Sequence, residues 1–417
     1  MPKIKIEGGH KLSGTITVGG AKNSVVALIP AAILCDETVT ISNVPNITDV
    51  DDLEKILVHL NAKIDRETEK VVINSSEIIN KEITQELSKK LRASYYFMGA
   101  LLGKFNKVDM YFPGGCAIGA RPINLHLKGF EQLGAIITEE DNHFIIEAPK
   151  LKGANIYLDF PSVGATINIM LAAVKAKGKT VIDNAAQEPE IVNVATFLNN
   201  MGAKIKGAGT STITIIGVKY LHKCFHEVIP DRIEAGTYLI IGALLGEKLK
   251  IDNMIPNHLE ALIAKLNEAG VEMEIGLDNI IINEVKKYKA INVKTLVYPG
   301  FPTDLQQIIA TFLTQCQGKS LSEETIYENR FQNLKELKRM GAKTKVKRGN
   351  RKAIIRGKTK LKGTDVVASD LRGGASLLVA ALLADGTTTI DNITYILRGY
   401  DKIVEKLTKV GAKIDLI

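Results

Sequence analysis

Residues 259–271 read Leu-Glu-Ala-Leu-Ile-Ala-Lys-Leu-Asn-Glu-Ala-Gly-Val. Leu259, Leu262, Ile263 and Leu266 fall on one face at helical spacing, and Gly270 follows the last apolar turn, where a left-handed residue ends a helix. The stretch predicts an amphipathic helix, a stop and a change of direction. It is one of six. A helix closed by Gly-Ala, or a near variant, recurs with its last residue at Ala62, Ala135, Ala203, Val271, Ala342 and Ala412, at intervals of 73, 68, 68, 71 and 70 residues. In the first copy the apolar face is Leu53, Ile56, Leu57 and Leu60, and short strand patterns follow the stop, as at 203–206 and 412–415.

Each copy carries an earlier helix, apolar and rich in small residues, as at 25–34, 167–176 and 377–384. A Gly or Asp turn and a strand follow it, at 38–41, 180–183 and 388–391. A helix that is apolar all round predicts burial, and the amphipathic one faces solvent. The unit is therefore helix, strand, helix, strand, strand. Six such units exceed the length of solenoid repeats and predict an α/β chain of two domains with three units each.

Polar residues fall at equivalent places in the copies. Lys22, Arg92, Ser162, Arg232, Asp304 and Arg372 lie near the start of the buried helix. Asp49, Arg121, Glu188, His258, Arg330 and Arg398 follow the next strand. Superposed repeats would gather these residues at one end of each domain, where helix N-termini make anion sites. Two such faces opposed would form a positive cleft. Helix starts favour Ser and Asp as caps, which accounts for Ser162 and is an alternative role for Asp304. It does not account for Lys22, Arg92, Arg232 and Arg372, because cations there oppose the helix dipole. Residues set against local preference mark a functional site.

Hydrophobic residues make up 45% of the 417 and charged residues 24%, which fits a soluble chain with large cores. The 54 basic against 46 acidic residues give a net charge of +8. The basic residues are dispersed, so nucleic acid is not the expected partner and a small anion is. The richest stretch, 347–360, reads as a solvated edge. Cys35, Cys116, Cys224 and Cys316 form no C-x-x-C pair, so neither zinc nor a disulfide framework is expected, and the compartment reads as reducing. Cys35 and Cys316 sit in apolar runs and read as core. No signal-like segment opens the chain, and no apolar run reaches the ~20 residues of a membrane span.

Residues 113–122 read Pro-Gly-Gly-Cys-Ala-Ile-Gly-Ala-Arg-Pro. Four small residues surround the Cys116 thiol, and Arg121 adds a cation five residues on. A small-residue loop offering a thiol beside a guanidinium suits chemistry on an anion.

This decapeptide resembles the catalytic loop of the enolpyruvyl transferases that act on UDP-N-acetylglucosamine. The resemblance runs along essentially the whole chain. It includes Gly-Ala-Lys-Asn-Ser at 20–24, Ser-Val-Gly-Ala-Thr at 162–166, Glu-Pro-Glu at 188–190 and Pro-Asp-Arg-Ile-Glu at 230–234. It continues with Phe-Pro-Thr-Asp at 301–304, Glu-Asn-Arg-Phe at 328–331, Asp-Leu-Arg at 370–372 and Arg-Gly-Tyr at 398–400. It implies an α+β fold, the two-domain inside-out α/β barrel or α/β prism, built from six βαβαββ repeats. The implied domains are 22–229, with the Cys loop and the UDP-sugar contacts, and 230–417 plus 1–21, with Asp304, Arg372 and Arg398. The chain would cross near 20–22 and 229–232, and the two faces would close on the UDP-sugar.

The implied reaction moves the enolpyruvyl group of phosphoenolpyruvate to the 3′-hydroxyl of UDP-N-acetylglucosamine by addition and elimination, releasing phosphate. It is the first committed step of peptidoglycan synthesis and so of cell-wall biogenesis. Cys116 would protonate the methylene carbon and form a covalent adduct. Asp304 would be base or proton relay. Lys22, Arg121 and Arg398 would hold phosphoenolpyruvate, supported by Arg92 and Arg372. Ser162, Val163 and Gly164 would bind the uridine diphosphate. Asn23, Arg121, Pro122, Ile123, Asn124 and Leu125 would contact the nucleotide sugar, Ile326 through its backbone, with Arg330 and Asp370 as further ligands. Phe160 and Thr48 stand where many relatives carry Lys. His126 reads as structural. No cofactor, metal, nucleic acid or membrane is implied, and a cytoplasmic monomer or weak homo-oligomer is expected.

Three rivals share parts of this pattern. An enzyme like 5-enolpyruvylshikimate-3-phosphate synthase has the fold and the donor but lacks the cysteine loop. An RNA 3′-terminal phosphate cyclase needs a nucleotidyl-accepting histidine that this chain does not place. A non-catalytic UDP-sugar-binding paralogue would have no need of Cys116, Asp304 and the arginines.

Overall fold

The six helix stops are where the repeat puts them. In the computed structural model, which describes residues 2–112 and 123–417, Gly134, Gly202, Gly270, Gly341 and Gly411 have φ of 95°, 100°, 95°, 101° and 106°, and Asn61 has 71°. Glycine takes this region without a Cβ penalty, and Asn is among the few other residues that enter it readily.

Twelve helices carry the repeats, alternating buried and amphipathic. They are α1 Lys22–Ala31, α2 Thr48–His59, α3 Tyr96–Phe105, α4 Asn124–Gln132, α5 Val163–Ala173 and α6 Pro189–Asn200. The series continues with α7 Arg232–Leu245, α8 Glu260–Ala269, α9 Gln306–Leu313, α10 Asn333–Arg339, α11 Leu371–Leu383 and α12 Ile403–Lys409. The odd-numbered helices are apolar and sunk in the core: α5 is buried from Gly164 to Ala173 and α7 from Ile233 to Leu245. In α8 the buried side chains are Leu262, Ile263, Leu266 and Ala269, while the opposite face is wet.

The described residues divide into two units, 20–112 with 123–229 and 2–19 with 230–417. Each has its own apolar core. In the first, α3 packs on α1 and on α5; in the second, α9 packs on α7 and on α11. At the α3–α5 crossing a Cβ on Gly99 would lie 2.3 Å from the Asn168 carbonyl oxygen, so only glycine lets these backbones meet. Three sheets line each helical core, burying alternate residues against it, as in strand Lys179–Asp183, where Thr180 and Ile182 point inward and Val181 is half-buried on the other face. Helices inside and sheets around them are the inside-out α/β arrangement.

In each sheet the strand after the buried helix pairs in parallel with one partner and antiparallel with another. Thr38–Ser42 pairs in parallel with Phe225–Glu227 and antiparallel with Lys70–Asn74. Two repeats depart from the contiguous unit that the sequence suggests. In the sixth, only Lys413–Leu416 follows α12, and the missing strand is supplied by Ile4–Glu7, which pairs with Thr387–Asp391 and with Lys413–Leu416. Leu12–Thr17 then pairs in parallel with Gly246–Asp252. Backbone groups there find partners from the far end of the chain, which local patterning does not reveal. In the second repeat the sheet holds Lys107–Tyr111, His143–Glu147 and Ile136–Glu140. Its fourth place is taken by one bridge, Ile83 to Met110.

Candidate active site

In the first unit the polar residues gather at the starts of its helices. Lys22 opens α1, and its ammonium lies 2.9 Å from Asp49 Oδ2 in the first turn of α2. The two side chains are 14% and 2% exposed, so the pair is largely desolvated. Asp49 offsets the unfavourable placement of a cation at a helix start and is itself well placed by the α2 dipole. Asn23 is half-buried beside Lys22.

Arg92 lies on the 3₁₀ turn Arg92–Tyr95 that leads into α3. Ser162 caps α5, accepting the Ala165 N–H at 3.3 Å, as its sequence position predicts. Beneath this cap sits His126 of α4, 5% exposed. Asn168 accepts the Gly99 N–H at Oδ1, so its Nδ2 donates, and His126 Nδ1 receives that bond at 2.8 Å. The ring is therefore fixed by a buried network. Burial, and then the Arg92 charge, push its pKa down to about 3, so it is neutral. A Cβ on Gly164 would lie 2.9 Å from His126 Cε1 and 3.0 Å from Tyr95 Oη. Asn124 and Leu125 begin α4, whereas the Ile123 side chain is buried, so a ligand could meet Ile123 only at its backbone. Cys116, Arg121 and Pro122 lie outside the described residues.

In the second unit Asp304 is the hub. It lies on the 3₁₀ turn Thr303–Leu305 before α9. Its Oδ1 accepts from Arg330 Nη2 at 2.7 Å and its Oδ2 from Arg372 Nη2 at 3.2 Å. The turn takes its N-terminal residue, Pro302, without a side-chain cap bond, so Asp304 is not the cap that helix preference offered as its alternative role. The side chains of Arg330 and Arg372 are 2% and 4% exposed. Tyr327 lies 5.0 Å under the first guanidinium and Tyr400 5.4 Å under the second. Burial alone would lower the Arg372 pKa, but Tyr400, Asp304 and Asp231 overcome it and hold the charge. Among the described residues, Nε and Nη1 of Arg372, and Nε of Arg330, find no protein acceptor. These are buried donors directed by a fixed frame, the requirement for gripping an anion.

Two expected ligands, Asp370 and Arg330, also have protein partners within that frame. Asp370 caps α11, accepting the Arg372 and Gly373 N–H groups at 3.1 and 2.9 Å. Its other oxygen takes Gln307 at 3.1 Å and Ser369 at 2.9 Å. Both Asp370 oxygens thus have protein partners, and Arg330 holds Asp304 Oδ1 through Nη2. The Ile326 N–H is taken by Glu324 Oε1 at 2.7 Å, which leaves its carbonyl for a ligand. Arg398 closes the short helix Thr394–Leu397 and is half-buried. Arg232 opens α7 beside its cap Asp231 and lies 5.5 Å over the Tyr298 ring.

Sequence reasoning missed Glu324, which ties Thr303 at 2.9 Å to the 324–327 turn, and Gln307, which joins Arg330 to Asp370. Gln306-Gln307 in an otherwise apolar helix was the available signal. It also missed a grouping of Glu82, Asp109 and His143, because these come from two strands and a bridging segment far apart in the chain. The other thiols are inert: burial raises Cys35, and raises Cys224 and Cys316 to about 11 and 12. Segment 347–360 is an ion-paired hairpin edge, with Arg351 on Glu328 and Lys360 on Asp385.

Residues 6–407 match the family described as EPSP synthase (3-phosphoshikimate 1-carboxyvinyltransferase). A UDP-N-acetylglucosamine 1-carboxyvinyltransferase 2 of Listeria monocytogenes is 54% identical over 412 residues, 99% of this chain and 97% of the relative. One from Bacillus cereus is 54% identical over 415 residues, 99% and 96% of the two chains. Among solved structures, the enolpyruvyl transferase NikO from Streptomyces tendae superposes with a TM-score of 0.90 at 27% identity, covering 100% of this chain and 98% of that one. EPSP synthase from Acinetobacter baumannii gives 0.76 at 19% identity, covering 99% of each chain, a likeness of fold alone.

Proposed function

The chain belongs to the UDP-N-acetylglucosamine 1-carboxyvinyltransferase family of enolpyruvyl transferases, and on that premise we propose how its residues divide the reaction. The enzyme joins the enolpyruvyl group of phosphoenolpyruvate to the 3′-hydroxyl of UDP-N-acetylglucosamine, the first committed step of peptidoglycan synthesis. Proton addition to the methylene carbon lets the sugar oxygen bond to C2, giving a tetrahedral phospho-ketal. Loss of one methyl proton and of phosphate restores the double bond in the product. Addition needs an acid at the methylene and a base at the hydroxyl.

Cys116 is the acid, and Asp304 takes or relays the hydroxyl proton. Lys22, Arg121 and Arg398 hold the phosphate and carboxylate of phosphoenolpyruvate, with Arg92 and Arg372 as supports. The Arg372 guanidinium, 4% exposed, acts the more strongly because little water screens it. Val163 and Gly164 present their N–H groups at the start of α5 to the diphosphate, beside the Ser162 hydroxyl. Asn23, Pro122, Ile123, Asn124, Leu125 and the Ile326 carbonyl complete the nucleotide-sugar contacts. The enzyme works as a cytoplasmic monomer or weak homo-oligomer. No helix of the described residues is long and apolar enough to cross a membrane.

The observation that carries this division is Asp304 held between two buried guanidiniums, because it sets a proton acceptor inside an anion-binding frame. The 54% relatives favour the UDP-sugar acceptor over shikimate-3-phosphate. Phosphate release from phosphoenolpyruvate should require UDP-N-acetylglucosamine and should survive a chelator. Turnover with shikimate-3-phosphate alone would overturn the acceptor.

A further inference from the structure

We propose that Glu82, Asp109 and His143 form a binding site for a divalent transition-metal ion on the outer face of the Lys107–Tyr111 sheet. The site follows from the shape of the second repeat. Its sheet lacks a full fourth strand, and residue 83 takes that place with one bridge to Met110. The Ile83 N–H donates to the Asp109 carbonyl at 2.9 Å, and the Tyr111 N–H donates to the Ile83 carbonyl at 3.3 Å. Ile83, Met110 and Phe144 turn into the core. Strand alternation then sends Glu82, Asp109 and His143 outward. Three adjacent backbones thus deliver two carboxylates and one imidazole to one spot, with ligand atoms all within 4.8 Å of one another.

The geometry is close to what a metal needs. Donors bound to a tetrahedral zinc at about 2.0–2.2 Å stand roughly 3.4 Å apart, so small side-chain rotations close the site. His143 is already aimed, its ring stacked on Tyr111 at 4.6 Å with Nε2 2.6 Å from Asp109 Oδ1. The His59 ring holds the Glu82 carbonyl at 2.7 Å and so anchors the segment that carries the third donor.

Charge argues the same way. Among the described residues the Glu82 carboxylate makes no ion pair, and Lys107, on the strand of Asp109, is bound to Glu147 at 2.5 Å. Glu140 lies opposite His143 in the strand register, a further carboxylate on this face. A dication would relieve this crowding. Mixed imidazole and carboxylate donors select zinc, cobalt or nickel over calcium or magnesium.

The test uses the full chain stripped with a chelator, titrated with Co²⁺ by absorbance and with Zn²⁺ against a chromophoric chelator. One ion per chain should bind, with a spectrum lacking a thiolate charge-transfer band. His143→Ala and Glu82→Gln should each weaken binding at least tenfold. Glu82 is exposed, so Glu82→Gln should melt like the parent, which separates lost binding from misfolding. Absence of stoichiometric binding, affinity unchanged in both variants, or a thiolate band removed by Cys116→Ser would overturn the site. Binding is read directly, so its failure leaves the transferase assignment standing.

Discussion

Gly164→Ala adds one methyl group at the most confined point of the proposed nucleotide turn. That carbon would lie 2.9 Å from His126 Cε1, 3.0 Å from Tyr95 Oη and 3.1 Å from His126 Nε2. Carbon atoms normally approach to about 3.5 Å, so roughly 0.6 Å must be found. The imidazole cannot yield easily, because Asn168 fixes Nδ1 and is itself fixed by the Gly99 N–H. The start of α5 must move instead, carrying Ser162 and its cap. Overpacking of this kind costs about 1–3 kcal/mol, and the melting temperature should fall by a few degrees. Strain of about 1.4 kcal/mol expressed on binding is a tenfold loss of affinity, so the KM for UDP-N-acetylglucosamine should rise ~10-fold, with kcat changed far less. Phosphate release at saturating phosphoenolpyruvate measures both constants, and calorimetry gives the midpoint. Unchanged KM and midpoint would show that the imidazole yields and that the turn is not a rigid binding surface. A fall in kcat at constant KM would place the turn away from the nucleotide.

Asp304→Asn should lower turnover by ~10²–10⁴ and lower the melting temperature, since Arg330 and Arg372 lose their shared anion; a cooler midpoint with normal turnover would confine Asp304 to a structural role. Fosfomycin should alkylate Cys116 alone, because burial keeps the other three thiols protonated at neutral pH; Cys116→Asp should stay active and unlabelled, Cys116→Ala should lose turnover, and label mapped to Cys35, Cys224 or Cys316 would count against the loop. His126 is neutral in the fold down to about pH 3, whereas unfolded histidine gains its proton near pH 6.5. Below that pH the unfolded chain binds the extra proton, so stability should fall on acidification toward pH 3 by up to about 1.4 kcal/mol per pH unit. His226, lowered to about 4 by burial, acts in the same direction. Denaturant midpoints between pH 7 and 5 should show this slope, reduced in His126→Gln; an identical slope in the variant would refute it.

Much of the fold was legible because it repeats. Six stops at near-constant intervals, each after an apolar helical face, need a left-handed residue, and five glycines and Asn61 occupy those places. Helices apolar on every side, such as α5 and α7, had nowhere to go but the core. Cations at helix starts stood out, since local preference disfavours them, and the structure supplies counter-charges: Asp49 for Lys22, and Asp304 and Asp231 for Arg372.

By itself the sequence determined the helix-and-strand rhythm, the buried and wet faces, and the residue types at each helix start, because these follow from short-range periodicity and backbone sterics. Only the tertiary structure decided which distant groups share a partner. Ile4–Glu7 completes the sixth sheet, Asp370 serves as a cap, Asp304 joins two arginines 26 and 68 residues away, and Glu82 meets Asp109 and His143. Hydrogen bonds and ion pairs act over a few ångströms in space whatever the separation along the chain, so no local pattern encodes them.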